Sequence, residues 1–356
     1  MSGGGSPAPR PRLLFYAMYD ASVASNAPRV RIQALAAALR RVADVDLVSG
    51  SRTARLLALP GLLLRLGRYR GVYVEAPTTS PMPWDLLALA VARARGLPVG
   101  VYFRDAYQLF RDLYPLAGWR ARLSDLAWRL TLGMLRTLAT VHFVQAIRMA
   151  SLLRLTRPAL LPPGTDPEAA DLGAGNEPLV AHVGAMNPAD GFDRLVDAMT
   201  LVRERVPDAR LLAIGPPPAA AATLPDWVEV RQATRDQLAA LLAPARVCVI
   251  PRPITAYTHI VRPVKLSDYL SFGKPVVATA TDELRALLEP DGTALLVDDA
   301  PRAIADGLLR VLTEPGLAED LARRSRAMAQ RPEMTWDGRA RDILAALGLA
   351  TREGVA

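Results

Sequence analysis

The chain alternates short apolar runs with longer segments whose apolar residues recur at helical spacing. In its first half, five runs predict strands: RLLFYAM (12–18), VDLVS (45–49), GVYVEA (71–76), LPVGVYF (97–103) and TVHFVQA (140–146). The pattern then restarts with six more: LVAHVG (179–184), ARLLAIG (209–215), WVEVR (227–231), VCVIP (247–251), KPVVATA (274–280) and ALLVD (294–298). Strands that alternate with helices indicate βαβ units and parallel sheets. We therefore predict an α/β protein with two Rossmann-like domains that face a central cleft.

A segment rich in Pro and Gly, PALLPPGTDPEAADLGAGNEP (158–178), separates the two series and has no apolar period. A chain of 356 residues also suits two domains better than one. The prediction divides the chain into five parts: a flexible tail (1–11), a first domain (12–165), a linker (166–178), a second domain (179–330) and a C-terminal helix (331–356).

Composition narrows the class of protein. Hydrophobic residues make up 51% of the chain and charged residues 22%, which predicts globular domains with sizeable cores. The first residues lack the apolar core of a secretory signal, and no apolar stretch reaches the length of a membrane-spanning helix, so we expect neither. With three histidines and a single cysteine, Cys248, in an apolar run, we expect no metal site and no disulfide within the chain. These features predict a cytoplasmic protein.

Charge is distributed unevenly. Residues 1–165 hold 22 Arg, no Lys and 8 acidic residues, a net charge of +14, whereas the rest of the chain has a net charge of −6. A basic first half predicts an anionic partner, and the two candidates are nucleic acid and an acidic membrane surface. No helix-turn-helix, zinc-finger or RNP-like signature accompanies the charge, so we favour the membrane and expect no nucleic acid. Arginines that only solvate the surface are a third interpretation.

Two segments of this half are rich in Arg and Leu, ARLLALPGLLLRLGRYR (54–70) and WRARLSDLAWRL (119–130), and the second also contains Trp. Helices of this composition lie in membrane interfaces, which would place the protein peripherally on the inner face of a membrane. The same segments would also suit amphipathic helices that face the protein core. The sequence leaves both interpretations open.

Candidate chemistry concentrates in VRPVKLSDYLSFGKPVVAT (261–279). Pro263 begins a predicted helix whose free N–H groups can face an anion, and Lys265 lies in its first turn, where the helix dipole disfavours a cation unless an anion is bound. Arg252 and Arg262 flank the segment and can pair with diphosphate oxygens. The GxGxxG and GxxxxGK[ST] loops of dehydrogenases and P-loop NTPases are absent, so the segment indicates a different kind of phosphate site.

The lysine content strengthens this interpretation. Lys265 and Lys274 are the only two lysines of a chain that otherwise uses 41 arginines, and both lie in this segment. A lysine in such a chain indicates a need for a compact, flexible ammonium, although an exposed lysine on a surface helix is the alternative. Asp268 follows Lys265 by three residues on the predicted helix and can accept hydrogen bonds from sugar hydroxyls.

The segment resembles the donor site of the retaining GT-B glycosyltransferases of family 4, whose pattern is Pro-x-Lys-x-x-Glu-Tyr followed by Gly-Lys-Pro-Val-Val. The matching residues are Pro263, Lys265, Asp268, Tyr269 and then residues 273–277. Weaker matches in the family's order extend the resemblance over nearly the whole chain: FRDAYQLF (103–110), PPGTDPE (162–168), VAHVGAMNPADGFDRLVDAM (180–199) and EMTWDGRARDIL (333–344).

The resemblance implies an acceptor domain, then a nucleotide-sugar donor domain, then a helix that returns towards the first domain. It implies transfer of a sugar from a nucleotide-sugar donor onto an acceptor, with retention and with neither metal nor cofactor. The acceptor class stays open between a glycolipid, a polysaccharide and a metabolite, and a lipid-linked or anionic acceptor would suit the basic first half. The base, the sugar, the linkage and the oligomeric state are not predicted.

The resemblance also assigns roles to particular residues. The catalytic candidates are Asp105, Lys265 and Asp268, and the donor-binding candidates are Arg252, Arg262, Lys265, Asp268, His182 and Gly184. His182 has core packing as an equal alternative. The acceptor-side candidates are Arg104, which pairs with Asp105 in the family's pattern, and Arg29 and Arg31 in the first turn of the first helix. Both helix arginines would equally suit a solvent-facing position.

Four positions depart from the family's pattern. Ala185 and Asp190 stand where many members have an Arg and a Lys that grip the diphosphate, and Ile260 replaces the first glutamate of a pair whose second member is shortened to Asp268. These departures motivate a second hypothesis, a non-catalytic GT-B protein that binds or regulates a partner. A sugar-nucleotide epimerase of the same fold is a third hypothesis.

Overall fold

A computed structural model describes residues 10–20, 27–113, 115, 117–216 and 224–350. Most of the predicted tail and most of the Pro/Ala loop after residue 215 lie outside these ranges. The chain divides into two compact units. Unit 1 comprises Met1–Pro163 and Trp336–Ala356, and unit 2 comprises Gly164–Thr335.

Unit 1 is built on a six-stranded parallel sheet with the order β2-β1-β3-β4-β5-β6. Its strands are β1 (Arg12–Ala17), β2 (Asp44–Val48), β3 (Gly71–Glu75), β4 (Val99–Phe103), β5 (Val141–Val144) and β6 (Pro158–Leu160). Its helices are α1 (Ala27–Val42), α2 (Arg52–Arg65), α3 (Pro83–Ala94), α4 (Gly118–Leu138), α5 (Ile147–Leu152) and α12 (Trp336–Ala346).

The helices of unit 1 form two groups. Helices α1 and α12 pack together and bury Phe15, Tyr73 and Phe143 of the sheet in one core cluster. Helix α3 packs against both α2 and α4. Right-handed crossovers account for the grouping. The chain moves towards one edge of the sheet from β1 to β2 and towards the other edge from β2 onward, so α1 lies on one face and α2, α3 and α4 lie on the other. The four inner strands, β1, β3, β4 and β5, are buried along most of their length, as expected for a sheet covered on both faces.

Unit 2 repeats the architecture with the sheet order β12-β11-β10-β7-β8-β9, again parallel. Its strands are β7 (Glu177–Val183), β8 (Arg210–Ile214), β9 (Val228–Arg231), β10 (Ala245–Ile250), β11 (Val276–Thr279) and β12 (Leu295–Val297). Its helices are α6 (Phe192–Arg203), α7 (Arg235–Leu242), α8 (Val264–Ser271), α9 (Asp282–Leu288), α10 (Pro301–Thr313) and α11 (Leu317–Ala329). Two core clusters include opposite sides of this sheet, one around Tyr269 and the other around Phe192.

Each sheet has one point where the strand order reverses. In unit 1 the reversal lies between β1 and β3, and in unit 2 it lies between β7 and β10. In open α/β sheets, ligands bind outside the carboxyl ends of the strands at such a point, because the connecting loops diverge there and leave a crevice. The topology therefore marks one candidate position in each unit.

The predicted α/β class is confirmed, and the strands predicted from apolar runs are all present. The differences lie at boundaries. Strand β6 occupies residues that the sequence analysis assigned to the Pro- and Gly-rich segment, and it completes the first sheet. Strand β11 begins at Val276, so Lys274 precedes it. Among the described helices, none has both the length and the apolar character needed to cross a membrane.

Candidate functional site

The candidate site of unit 2 lies where β7 and β10 end. Gly184 follows β7 directly, and Arg252 lies two residues beyond the end of β10. Helix α8 begins after Pro263, and its Tyr269 hydroxyl accepts a hydrogen bond from the backbone N–H of Val183 at 2.8 Å. This bond fixes the helix against the end of the central strand, so the first turn of α8 lies over the reversal point of the sheet.

Lys265 reaches from that first turn to the end of β7. A Cβ built on Gly184 would lie 2.9 Å from the Nζ atom of Lys265, and the φ of Gly184 is +125°, so a glycine both adopts this backbone and makes room for the ammonium. The Nζ atom is buried, and no atom of the described residues accepts a hydrogen bond from it. The position of this lysine is therefore well defined, but its three donors are unused within the described part of the chain.

Two charged residues surround this ammonium. The Nε atom of Arg252 donates to Oδ1 of Asp190 at 3.1 Å, and both side chains influence Lys265. Burial lowers the pKa of Lys265 to about 7, Asp190 opposes this change, and Arg252 reinforces it. A buried ammonium without an acceptor is costly, and an anion placed beside it would remove the cost. The cluster has the character of an anion site.

Backbone packing places Asp190 beside Arg252. Gly191 has a φ of +78° at the start of α6, and a Cβ on it would lie 1.8 Å from the carbonyl oxygen of Pro251. The beginning of α6 therefore approaches the end of β10 as closely as only glycine permits. Because Asp190 precedes this glycine and Arg252 follows this proline, the contact brings the carboxylate and the guanidinium together.

Three donor candidates of the sequence analysis thus meet in one cluster: Gly184, Arg252 and Lys265. The other two charged candidates have carboxylate or guanidinium partners nearby. Arg262 Nη2 donates to Glu283 Oε2 at 3.3 Å, and Asp268 lies 3.2 Å from Nη2 of Arg235. Burial raises the pKa of Asp268 above its ordinary value, although Arg235 opposes the rise. Their roles in donor binding stay predictions.

His182 is fully buried in β7, and its ring lies 5.9 Å from the ring of Phe192. Burial, and after it the nearby Lys265, hold the pKa of this imidazole well below its usual range. The histidine is therefore neutral and packs in the core against Phe192. Its role in lining the donor site stays a prediction.

At the reversal point of unit 1, one carboxylate lies between two arginines. Glu75 ends β3 and is completely buried. It accepts hydrogen bonds from Arg31 Nε at 2.8 Å, from the Tyr73 hydroxyl at 2.7 Å and from Arg104 Nη2 at 3.2 Å. The guanidinium of Arg31 also lies 3.8 Å from the ring centre of Tyr102. Two cations and one anion leave one positive charge in this cluster.

This arrangement rules out the solvent-facing alternative for Arg31, whereas the acceptor-side role of this residue stays a prediction. Its side chain is 1% exposed, so it does not face solvent, and its Nη2 atom donates to the carbonyl oxygen of Leu161 at 3.2 Å. Its engagement with Glu75 makes it a structural partner of the cluster. Arg29, two residues earlier on α1, is half-buried, and its acceptor role stays a prediction.

Arg104 and Asp105 follow β4 and line a small cavity of about 20 Å³ next to α4, which also contacts Trp128 and Leu135. A cavity of this size holds about one water molecule. The Nε atom of Arg104 is buried, and no hydrogen-bond acceptor for it lies among the described residues. Nη1 of Arg31 is likewise buried without an acceptor among the described residues, so both arginines around Glu75 keep an unused donor.

Sequence analysis missed Glu75, Arg235 and the pairing role of Asp190. A carboxylate that ends the apolar strand GVYVE was a readable signal, because a buried acid needs a cation partner. Arg235 carried no local signal. Among the described residues, no group of three or more His, Cys, Asp or Glu side chains is placed to hold a metal ion.

The sequence similarity to a known protein family lies in the second unit. Residues 177–314 match the family described as glycosyl transferases group 1. A curated relative from Mycobacterium tuberculosis, a GDP-mannose-dependent alpha-(1-6)-phosphatidylinositol dimannoside mannosyltransferase, is 30% identical over 177 residues. The match covers 48% of this chain and 44% of the relative, so the chain matches less than half the length of that protein.

Solved structures resemble the chain over almost all of its length. A sucrose-phosphate synthase from Thermosynechococcus elongatus aligns with a TM-score of 0.64 and 18% identity, covering 93% of this chain and 96% of that chain. The Anabaena protein Alr3699/HepE, solved in complex with UDP and glucose, aligns with a TM-score of 0.66 and 14% identity, covering 96% of this chain and 100% of that chain. At these identities the likeness concerns the fold.

The two parallel sheets, their order and these alignments agree with one another. The GT-B fold expected from the sequence is confirmed. The match to glycosyl transferases group 1 lies in unit 2, the unit that contains Lys265 and Arg252. The chain thus has the fold of the GT-B glycosyltransferases, and its second unit is similar in sequence to the glycosyl transferases group 1 over residues 177–314.

Proposed function

We propose that the protein is a glycosyltransferase that moves a sugar from a nucleotide-sugar donor onto an acceptor hydroxyl, with retention at the anomeric carbon. The observation that carries the proposal is the ammonium of Lys265, buried at the reversal point of the second sheet and lacking an acceptor among the described residues. Such a group is suited to the diphosphate of a nucleotide sugar, because that ligand brings the negative charge that this position lacks.

Lys265 and Arg252 contribute to the donor site in different ways. Lys265 supplies a point charge from the first turn of α8, whose free backbone N–H groups add further donors. Arg252 already donates through Nε to Asp190, which leaves the rest of its guanidinium for a second phosphate. With Ala185 and Asp190 at the positions where many relatives carry cations, these two residues hold most of the charge for the leaving group.

In the reaction, the acceptor oxygen forms a bond to the anomeric carbon while the bond from that carbon to the diphosphate breaks. The bonding electrons leave with the diphosphate, and the proton of the acceptor hydroxyl passes to an oxygen of the departing diphosphate as the new glycosidic bond forms. Positive groups that are already in place stabilise the developing charge on the leaving group. We assign this role to Lys265 and Arg252 and place the sugar hydroxyls near Asp268. The proposal needs no metal and no cofactor.

The relatives support the donor class. The curated relative is named as dependent on GDP-mannose, and the Anabaena structures contain UDP, UDP-glucose, or UDP and glucose. Because these relatives use different bases, we leave the base open. The curated relative is named for a phosphatidylinositol dimannoside acceptor, which supports an anionic, lipid-linked acceptor here. We assign its recognition to the basic unit 1, with Arg104 and Asp105 at the end of β4 and Arg29 on α1.

The two lysines provide a matched test. Lys265 lies at the carboxyl edge of the second sheet, whereas Lys274 precedes β11 at the opposite edge and its Nζ donates to the Ala243 carbonyl oxygen at 3.4 Å. Calorimetric titration with UDP, GDP, ADP, dTDP and their sugar conjugates should show binding of one base family. Lys265→Met should weaken this binding by about 10- to 100-fold, the loss of a charge-assisted contact, while Lys274→Met should leave it unchanged.

A transfer assay with the binding donor then tests the reaction itself. We expect release of the nucleoside diphosphate only when an acceptor is present, and an anomeric configuration in the product that matches the donor by NMR. A folded wild-type protein that binds none of these nucleotides would contradict the proposal and favour a non-catalytic partner role. Conversion of the donor sugar without an acceptor would identify an epimerase instead.

A further inference from the structure

Exposed apolar side chains are concentrated on unit 1. Among the described residues, the large hydrophobic side chains that face solvent all lie between residues 56 and 160: Leu56, Leu57, Leu64, Leu87, Leu113, Trp119, Leu123, Leu126, Leu130, Met134, Ile147, Leu152 and Leu160. Unit 2 contributes none within the described ranges, although it buries two core clusters of its own. An apolar surface limited to one unit indicates an interaction site on that unit.

Five of these side chains form one continuous stripe on α4. Trp119, Leu123, Leu126, Leu130 and Met134 follow one another at intervals of three and four residues, so they share one face of the helix. Their exposed fractions run from 53% to 69%.

The opposite side of α4 supplies the contacts that anchor the helix. Trp128 and Leu135 are buried there and line the small cavity beside Arg104. Helix α4 therefore has an inner apolar face that packs on the unit and an outer apolar face that faces water. The sequence allowed this segment to be a helix that faces the core. The buried face agrees with that interpretation, but core packing does not account for the exposed apolar face.

Helix α2 extends the surface. Leu57 and Leu64 lie seven residues apart on one side of the helix and are 77% and 86% exposed. The helix is held rigidly from below, because Arg55 donates to both carboxylate oxygens of Asp85 on α3, and the same carboxylate accepts a bond from Tyr16 of β1. The two leucines therefore lie on a helix whose position is fixed. This helix packs against α3, and α3 packs against α4.

The charge on these three helices is strongly positive. Helices α2, α3 and α4 together contain eight arginines and two acids, Asp85 and Asp125. Asp85 is buried under Arg55, and Asp125 lies between Arg111 and Arg129, so neither acid offers a free negative charge at the surface. Arg120 and Arg122, in contrast, are exposed beside the apolar stripe.

We propose that this surface, made of the exposed leucines of α2, Leu87 of α3 and the outer stripe of α4, docks on a lipid bilayer that contains acidic lipids. Its apolar side chains enter the boundary between headgroups and acyl chains, and its arginines contact the anionic headgroups. A second copy of the chain suits the surface less well, since a two-fold contact would place arginines against arginines. The inference concerns attachment and stands independently of the proposed transfer reaction.

Vesicle flotation of the full chain tests the surface without any nucleotide. We expect strong flotation with vesicles of phosphatidylcholine and phosphatidylglycerol and little with phosphatidylcholine alone. Leu123→Glu combined with Leu130→Glu should weaken binding to the acidic vesicles by at least about tenfold, because two charges would enter the membrane boundary. Arg120→Gln combined with Arg122→Gln should weaken it by about tenfold and reduce its salt dependence.

Leu160→Glu is the matched control, since it makes the same change at an exposed leucine of β6, outside the three helices, and should leave flotation unchanged. The far-UV circular dichroism spectrum and the midpoint of thermal unfolding should match those of the wild type in every variant, which shows that each variant is folded. Wild-type protein that floats with neither vesicle, or a Leu123/Leu130 variant that binds as well as wild type, overturns the proposal. Self-association of the wild type that the same variant abolishes, without vesicle binding, would identify a second copy as the occupant.

Discussion

The reversal points of the two sheets hold charge clusters that differ in one respect. In unit 1, the carboxylate of Glu75 lies between Arg31 and Arg104, and a tyrosine hydroxyl completes its hydrogen bonds. In unit 2, Asp190 pairs with Arg252, but the ammonium of Lys265 next to them has no acceptor among the described residues. In unit 1 both cations bind the shared carboxylate, although Nη1 of Arg31 and Nε of Arg104 keep unused donors. In unit 2 one of the two cations, Lys265, has no acceptor at all among the described residues.

The difference separates charges that hold a fold from charges that bind a ligand. Buried ions that are paired and hydrogen-bonded are strongly destabilising only when one partner is removed. A buried ion without a partner destabilises the protein until a ligand supplies the missing charge. Glu75 belongs to the first kind and Lys265 to the second, so opposite responses to substitution are expected for them.

The largest effect should come from Glu75. Glu75→Ala leaves Arg31 and Arg104 buried side by side without their shared carboxylate, which should lower the free energy of unfolding by about 3–5 kcal/mol. Urea unfolding followed by circular dichroism measures the change. Glu283→Ala, which removes the partner of Arg262 in unit 2, makes the same truncation at a more exposed pair and should lower it by about 1 kcal/mol. Equal losses for the two variants would show that the Glu75 cluster has no special structural role.

The next largest effect is the pH dependence of the free energy of unfolding that arises from the titration of Lys265. Its pKa is about 7 in the folded protein and near its ordinary value of 10.5 in the unfolded chain, so the unfolded chain binds more protons between these values. The free energy of unfolding should therefore rise with pH above 7, by about 1–2 kcal/mol between pH 7 and 9. Lys265→Met should remove this part of the rise and should be more stable than wild type near pH 7.

Donor binding should respond in the opposite direction. Since the diphosphate needs the charged ammonium, affinity for the nucleoside diphosphate should fall as pH increases above 7, and the titration should be followed calorimetrically. The same profile measured on Lys274→Met serves as the control, because Lys274 is also buried but lies at the other edge of the sheet. An affinity that is flat from pH 6 to 9 in the wild type would remove Lys265 from the donor site.

Much of the fold was readable from the sequence, because most strands are apolar runs and most of these runs are followed by a helical period. Boundaries were less readable. Strand β6 has only three residues, among them Pro158, and its place at the sheet edge depends on the partner strand β5, which local sequence does not encode. Strand β11 is shorter than KPVVATA because Lys274 and Pro275 belong to the turn after α8.

The site was readable where the chemistry is local. Lys265 was singled out because a cation in the first turn of a helix is unfavourable without an anion, and Gly184 because the family resemblance makes it a donor-binding candidate. The solvent-facing alternative for Arg31 was wrong, because helical spacing does not reveal that Glu75, 44 residues away, lies within hydrogen-bond distance of it. Long-range pairs of this kind follow from the order of strands in the sheet, which a single sequence does not give.

Gly184 offers the smallest and most specific effect. Gly184→Ala places a Cβ 2.9 Å from Nζ of Lys265, and its backbone φ of +125° strains any side chain. The lysine must move by a few tenths of an ångström, so we expect donor affinity to fall about tenfold while the free energy of unfolding falls by about 1 kcal/mol. Gly316→Ala provides the matched control, since Gly316 also has a positive φ, +77°, but nothing lies within 4 Å of its added Cβ. That variant should lose similar stability and keep full donor affinity. If both variants bind the donor equally well, the approach of Lys265 to the end of β7 does not contribute to binding, and the anion must be held by Arg252 and the helix N–H groups instead.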